Sequence, residues 1–271
     1  MNDDGQSDDA GVSGNDNAAD GTAAKVDPVE RAKIYTDRLI DLVVAAKAAN
    51  ENTRHAVYSP HLAEQIPRSY AAHAFQQLQN TLLYYSVVRV CALFDYAAND
   101  RISLYTVINA LPNKRSVRKV ARQRKFDHIN QGEPRNLTPE EDPEVRKILR
   151  DHWQQEFKRR GAHAEKVTYK QVRVAKKIID RAERLFIADN LRPFRNNHIG
   201  HNIAEEARDR KKISFVLGME DRALEHAKCA VDLLHQALNG RGFSWDSLEQ
   251  MQRRNADEFW NKLRYMPDAG R

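Results

Sequence analysis

An all-α fold is predicted by three observations. Apolar residues recur at three- and four-residue spacing in segment after segment, the period of a helix with one buried face. Several of these segments open on a capping residue or a proline, and one stops at a glycine. No stretch shows the alternation of a half-buried strand, and there is no tandem repeat or coiled-coil heptad. At 271 residues the chain is long enough for a full hydrophobic core, in one large domain or two small ones.

Residues 1–24 are rich in Asp, Gly, Asn, Ser and Ala and cannot bury enough apolar surface to offset their ordering entropy, so a disordered acidic tail is expected over 1–25. Asp27-Pro28 then opens a helix, with Asp as N-cap and Pro at the first helical position. Ile34, Leu39, Leu42, Val43 and Ala46 mark its apolar face to about Asn50. Residues 51–69, with Pro60 and Pro67, read as a connection. From Tyr70 to Ala98 the pattern is apolar on nearly every face (Phe75, Leu78, Leu82, Tyr85, Val88, Cys91, Phe94), as expected of a central helix. Arg89 and Asp95 interrupt it, as an internal ion pair, a helix-end contact or a functional pair.

Ser103 is placed to cap a short helix carrying Leu104, Val107, Ile108 and Leu111. Lys114 to Lys125 holds seven basic residues and no acidic one; Lys114, Arg118 and Arg122, four apart, form one stripe on a helix. Such a stripe suits phosphate backbones, since each contact releases counterions, although a solvated face has the same pattern. Gln131 to Pro143 reads as a loop, followed by a helix from about Glu144 to Arg160 with Ile148, Leu149, Trp153 and Phe157 inward. A second helix is expected from Thr168 to Asn190. Val172, Ala175, Ile179, Ala182 and Phe186 form its core face, and Lys170, Arg173, Lys177, Arg181 and Arg184 lie together on another. Pro193 is expected to open a new helical segment. After a polar break at Glu205 to Lys212 comes a helix from Met219 to Asn239, stopped by Gly240. A last helix, Ser244 to Tyr265, is capped by Ser244 and carries Trp245, Leu248, Met251, Phe259 and Leu263.

The formal net charge is +6, unevenly spread. Residues 1–24 hold six aspartates and no Lys or Arg, so the remainder carries 44 basic against 32 acidic side chains, a net of +12. A body this basic points to a polyanionic partner, with RNA the leading expectation. Cys91 and Cys229 sit in apolar helical surroundings and read as small buried hydrophobes rather than a disulfide or metal pair. No apolar run is long enough for a membrane span and no signal peptide is evident, so a cytoplasmic protein without membrane contact is expected.

The most concentrated chemistry lies at Leu191 to Asn202, LRPFRNNHIGHN: two arginines, two histidines, three asparagines and a glycine in twelve positions. Two frames with five intervening residues overlap here, Arg192 to His198 and Arg195 to His201. His198 and His201 are three apart, but no Cys, Asp or Glu stands near at ligand spacing, so no metal is expected; a pair of packed or capping histidines is the plainer alternative. No Gly-rich phosphate loop or linear Ser/His/Asp or Cys/His arrangement stands out.

Arg195 followed by Asn196, with Gly200 before His201 and Asn202 after it, resembles the signature of the HEPN superfamily. Arg89 to Leu111, RVCALFDYAANDRISLYTVINAL, resembles the middle of AbiU-type abortive-infection proteins, a HEPN-related family in which a helix ending in Leu-Phe-Asp leads to an Ile-Ser-Leu segment. The resemblance covers roughly Tyr70 to Asn239. It implies an antiparallel helical bundle with extra helices, over 26–240, with 241–271 as a C-terminal helical appendage. It implies a homodimer in which two motifs face each other, and a metal-independent, cofactor-free ribonuclease of the toxin–antitoxin or phage-defence kind, with an antitoxin as a further partner. It favours Arg195, Asn196 and His201 as the catalytic set, since Pro193 beside Arg192 departs from the pattern. A HEPN fold that only binds RNA, a nucleotide or a protein partner is the alternative.

On a regular helix, positions six apart differ by about 240° and share no face. Arg195 and His201 can therefore cooperate only where the backbone departs from a regular helix, or across a dimer axis.

Overall fold

A computed structural model describes residues 27–66, 70–98, 101–130, 142–199 and 215–265. The expected tail, Pro67, most of the 131–143 loop, the 205–212 break and His201 lie outside these residues. Everything described is helix, turn or irregular connection, with no strand among the described residues.

Helix α1 (Pro28–Thr53) opens as expected: the Asp27 carboxylate accepts a hydrogen bond from the Val29 amide at 3.1 Å. Leu39, Val43 and Ala46 are buried, but Ile34 is about half exposed. The stretch expected to be a connection is itself helical: α1 runs to Thr53, continues as a π-helical turn (Arg54–Tyr58), and α2 (Pro60–Gln65) follows. Asn50 and Thr53 look like helix enders in the sequence, yet both are buried with partners. Asn50 Nδ2 donates to Asp221 Oδ1 at 2.7 Å, and the Thr53 hydroxyl donates to the Ala49 carbonyl at 3.0 Å. Tertiary partners override propensity here.

Helix α3 (Tyr70–Leu93) is central only in its second half, where Val87, Val90, Cys91 and Leu93 are fully buried. Leu78 and Tyr85 are 44% and 46% exposed, while Phe75 and Leu82 pack on a small second core around Leu62, Ala256 and Trp260. Helix α4 (Leu104–Ala110) is capped by Ser103, whose oxygen accepts from the Thr106 amide at 3.1 Å. Helix α5 (Lys114–Ile129) is capped by Asn113 and buries Val120 and Ala121.

The two helices expected over 144–190 are one, α6 (Pro143–Ala182). Gly161 does not break it, because its missing side chain lets α5 come close: a Cβ there would lie 2.9 Å from the Lys125 carbonyl oxygen. The first third of α6 stands free of the core, with Ile148 67% exposed, so the expected inward face at 148–157 is at best half-buried. Nor does Pro193 open a new helix. The chain continues past α6 as a π-helical stretch (Glu183–Leu191), one α-turn (Arg192–Phe194) and a second π-helical turn (Arg195–Ile199). Proline lacks an amide and crowds the carbonyl four residues back. The wider π turn before it, in which the Arg192 amide reaches the Ile187 carbonyl, relieves that crowding.

Helix α7 (Met219–Asn239) lies in the core, with Ala223, Leu224, Ala227, Val231, Leu234 and Leu238 buried. It stops where predicted, at Gly240, whose φ of +72° favours a residue without a Cβ. Cys229 is exposed rather than buried, because it sits on the outer side of this helix. Helix α8 (Trp245–Lys262) turns a different face inward than expected: Trp245, Ala256 and Trp260 are buried, while Met251, Phe259 and Leu263 are exposed. Trp260 draws the helix round by donating from Nε1 to Asn52 Oδ1 at 2.9 Å. Ser244 makes no capping hydrogen bond; its hydroxyl donates to Ser247 instead.

Long-range pairs show the helix directions. Lys47 meets Glu225 while Asp37 meets His235, so α1 and α7 are antiparallel. Gln171 pairs with Gln236 and Phe186 with His226, so α6 and α7 are too. The result is an antiparallel bundle with one main core, and α6 carries the Arg–His segment to one end of it.

Candidate functional site

The motif meets the rest of the molecule where the end of α3 lies against the α6 extension. Phe94 and Asp95 close α3, and Arg192 and Arg195, one helical turn apart, reach across to them. The two arginines do different things.

Arg192 is buried. Its guanidinium forms a two-pronged ion pair with the Glu183 carboxylate, donates from Nη2 to the Phe94 carbonyl at 2.9 Å, and lies 4.6 Å from the Tyr96 ring centroid. Burial works against its charge, yet Glu183 outweighs that and holds its pKa above the usual arginine value. A guanidinium so enclosed ties the extension to α3 and has little left to offer a substrate. His198, its partner in the first frame, is exposed and tilts over the Phe194 ring at 5.0 Å.

Arg195 is held more loosely. Nη1 donates to Asp95 Oδ1 at 2.8 Å and Nε to Asn196 Oδ1 at 3.1 Å, and the side chain keeps 23% of its exposure. Asn196 thus fixes the side chain of its neighbour, leaving the outer edge of the guanidinium turned toward solvent. Phe194 braces this turn by stacking on Phe215 at 4.4 Å, with Tyr84 edge-on at 5.9 Å. The backbone under Arg195 is π-helical, so it departs from a regular helix, one of the two conditions for cooperation with a residue six positions on. His201 itself lies outside the described residues.

Two further groups sit beneath the motif. Burial pushes the Cys91 thiol up to about 12, against the opposing pull of Arg195 and Arg192. Burial, with Glu183 and Asp180 close by, pushes the Tyr105 hydroxyl up to about 12. Both stay protonated at neutral pH and supply no nucleophile. Among the described residues no three His, Cys, Asp or Glu side chains cluster as a metal site. Glu183 was invisible as a site residue in the sequence, being one acid among the charges of an amphipathic helix. Asp95, open there between an ion pair and function, is the carboxylate that receives Arg195.

The basic residues of α5 are exposed. Lys114, Arg118 and Arg122 make no ion pair among the described residues. They do not address a single surface, however. Arg118 and Arg122 line a cleft of about 850 Å³ with Arg115, Lys119 and Asp27, whereas Lys114 lines a neighbouring groove of about 890 Å³ with Arg173 and Lys176 of α6. The basic face expected on α6 is also exposed, at Lys170, Arg173, Lys177, Arg181 and Arg184.

Fold and site together place the chain among all-α bundle proteins that carry an arginine-led polar motif beyond the end of a long helix. Within that class the chain belongs to the AbiU2 family of HEPN proteins, whose family model HEPN_AbiU2 matches residues 34–259, from α1 into the last turn of α8. No curated protein and no solved structure matches it. No described helix is long and apolar enough to cross a membrane.

Proposed function

We propose that this protein is an endoribonuclease acting as an abortive-infection or toxin effector, with Arg195, Asn196 and His201 as its catalytic set. The observation that carries the reading is the setting of Arg195, part-exposed and steered by Asp95 and Asn196 on a π-helical turn, six residues before a histidine. Arg192, by contrast, is spent on Glu183 and the Phe94 carbonyl.

The chemistry this set suits is transesterification at the ribose. The 2′-oxygen attacks phosphorus as the bond from phosphorus to the 5′-oxygen breaks, leaving a 2′,3′-cyclic phosphate. One proton leaves the 2′-hydroxyl and one arrives at the 5′-oxygen. An imidazole titrates near neutral pH and serves either transfer, which is the role of His201. Arg195 stabilises the charge that builds on the non-bridging oxygens. Two copies of the motif facing each other in a homodimer supply both transfers, and an antitoxin partner restrains the activity. The basic residues of α5 and α6 hold the flanking RNA.

One observation favours the alternative, a HEPN-fold module that binds RNA, a nucleotide or a protein without catalysis: Asp95 already neutralises Arg195. Cleavage of a labelled RNA decides between the two. His201→Ala should slow cleavage by about 10²–10⁴-fold, and Arg195→Ala should lower turnover more than affinity, while His198→Ala stays mild. Cleavage should persist in EDTA and fail when deoxyribose replaces ribose at the cut site. Loss in EDTA would hand the chemistry to a metal. A purified protein that binds RNA but neither cuts it nor is toxic on expression would leave the binding module.

A further inference from the structure

The cleft on α5 has an occupant within the same chain. Arg115, Arg118, Lys119 and Arg122 line it, and so do Asp27 and Pro28, the first described residues. Lys119 already pairs there with Asp27, and that contact, with the Val29 amide, holds the Asp27 carboxyl below the ordinary aspartate value. Everything N-terminal to Asp27 therefore departs from inside a cationic cleft. That segment carries six aspartates, Asp3, Asp4, Asp8, Asp9, Asp16 and Asp20, and a single basic residue, Lys25.

We propose that the acidic N-terminal segment docks in cis on the basic face of α5 and competes there with polyanionic ligands. Charge complementarity and the point of departure both favour this surface over any other. Reach is ample: α5 is about 24 Å long at ~1.5 Å per residue, and some two dozen residues of flexible chain span about 25 Å on average. Tethering raises the local concentration of the segment to the millimolar range, so a weak ionic contact suffices. No new fold is needed in the segment; its aspartates take the places that RNA phosphates would take. The competition with RNA rests on the ribonucleic-acid reading above, but the docking does not.

Two measurements separate these. Zero-length carbodiimide coupling joins a carboxylate to an amine only in direct contact, and peptide mapping of the full chain should find the segment's aspartates joined to Lys114 or Lys119. Those links should disappear in 0.5 M salt and in the variant Arg115→Gln, Arg118→Gln, Arg122→Gln. Absence of such links, or links formed only between isotopically distinct copies, would overturn docking in cis. Binding of a labelled single-stranded RNA should then tighten by about tenfold at low salt when the six aspartates are replaced by asparagine, the value for a ~1 mM tethered competitor at a site of ~0.1 mM. An unchanged affinity with the links present would overturn the competition. Absence of RNA binding in both proteins would count against the RNA reading and leave the docking to the links.

Discussion

Arg192 and Arg195 stand three residues apart, carry the same side chain and each meet a carboxylate, yet replacing them should have opposite consequences. Arg192→Ala strands the Glu183 carboxylate, itself only 17% exposed, and leaves the Phe94 carbonyl without its guanidinium donor. Breaking a buried pair from one side costs about 3–5 kcal/mol. For a chain of this size, with a shift of about 2–4 °C per kcal/mol, the melting temperature should fall by about 6–20 °C. Arg195→Ala opens a part-exposed pair worth about 1 kcal/mol or less, a shift of no more than about 4 °C. A third variant separates lost pairing from lost volume. Replacing both partners, Arg192→Met with Glu183→Leu, removes the stranded charge and should recover much of the stability that Arg192→Ala loses. Differential scanning calorimetry of the three proteins at pH 7 tests this. Equal melting temperatures for Arg192→Ala and Arg195→Ala would refute the division of labour between the two arginines, and so the choice of frame built on it.

Three further outcomes are expected. Replacing Lys114, Arg118 and Arg122 together with glutamine should lower the slope of log affinity for single-stranded RNA against log salt by about 2, at ~0.7 for each phosphate no longer neutralised; an unchanged slope would make the stripe a solvated face. Gly161→Val forces a side chain against the Lys125 carbonyl and should lower stability in urea by about 1–3 kcal/mol; an unchanged midpoint would mean that α5 and α6 are not closely packed there. Burial pushes the Glu225 carboxyl up, but Lys228 and Lys47 together hold its pKa below the usual glutamate value. Its contribution to stability is therefore present above the unfolded pKa and lost as pH falls through the depressed folded value. Between about pH 5 and pH 3 the parent should lose more thermal stability than Glu225→Gln, and parallel melting curves would count against the pair.

Helix type and most of the core were legible because both follow from local period: Leu39, Val43, Val172, Ile179 and Leu234 all face inward as their spacing indicates. Punctuation was less so. Asn50, Gly161 and Pro193 each carry a breaker's signal, and in each case a tertiary feature cancels it: a buried hydrogen bond, a close helix crossing and a π turn. The faces of α8 and of the first third of α6 were misread for a related reason. Amphipathic period reveals that a helix has an apolar side, not which neighbour, if any, arrives to cover it. At the site, Arg195 and Asn196 stood out by composition. Asp95 acquires its role only through a partner 100 residues away, and Glu183 through one 9 residues away in a stretch whose winding no local pattern announces.

The π-helical stretch between Glu183 and Leu191 gives the motif an unusual dependence on residue count. A π turn holds a residue more than an α turn, so this segment stores slack that a straight helix would lack. Deleting one residue there leaves every named side chain present but rotates all that follows by about 100°. Glu183 and Phe94 would then face a different residue, and Arg195 would swing away from Asp95. The aim of the site is thus set by phase as well as by chemistry, and an indel in this stretch is a re-aiming event even where no site residue changes.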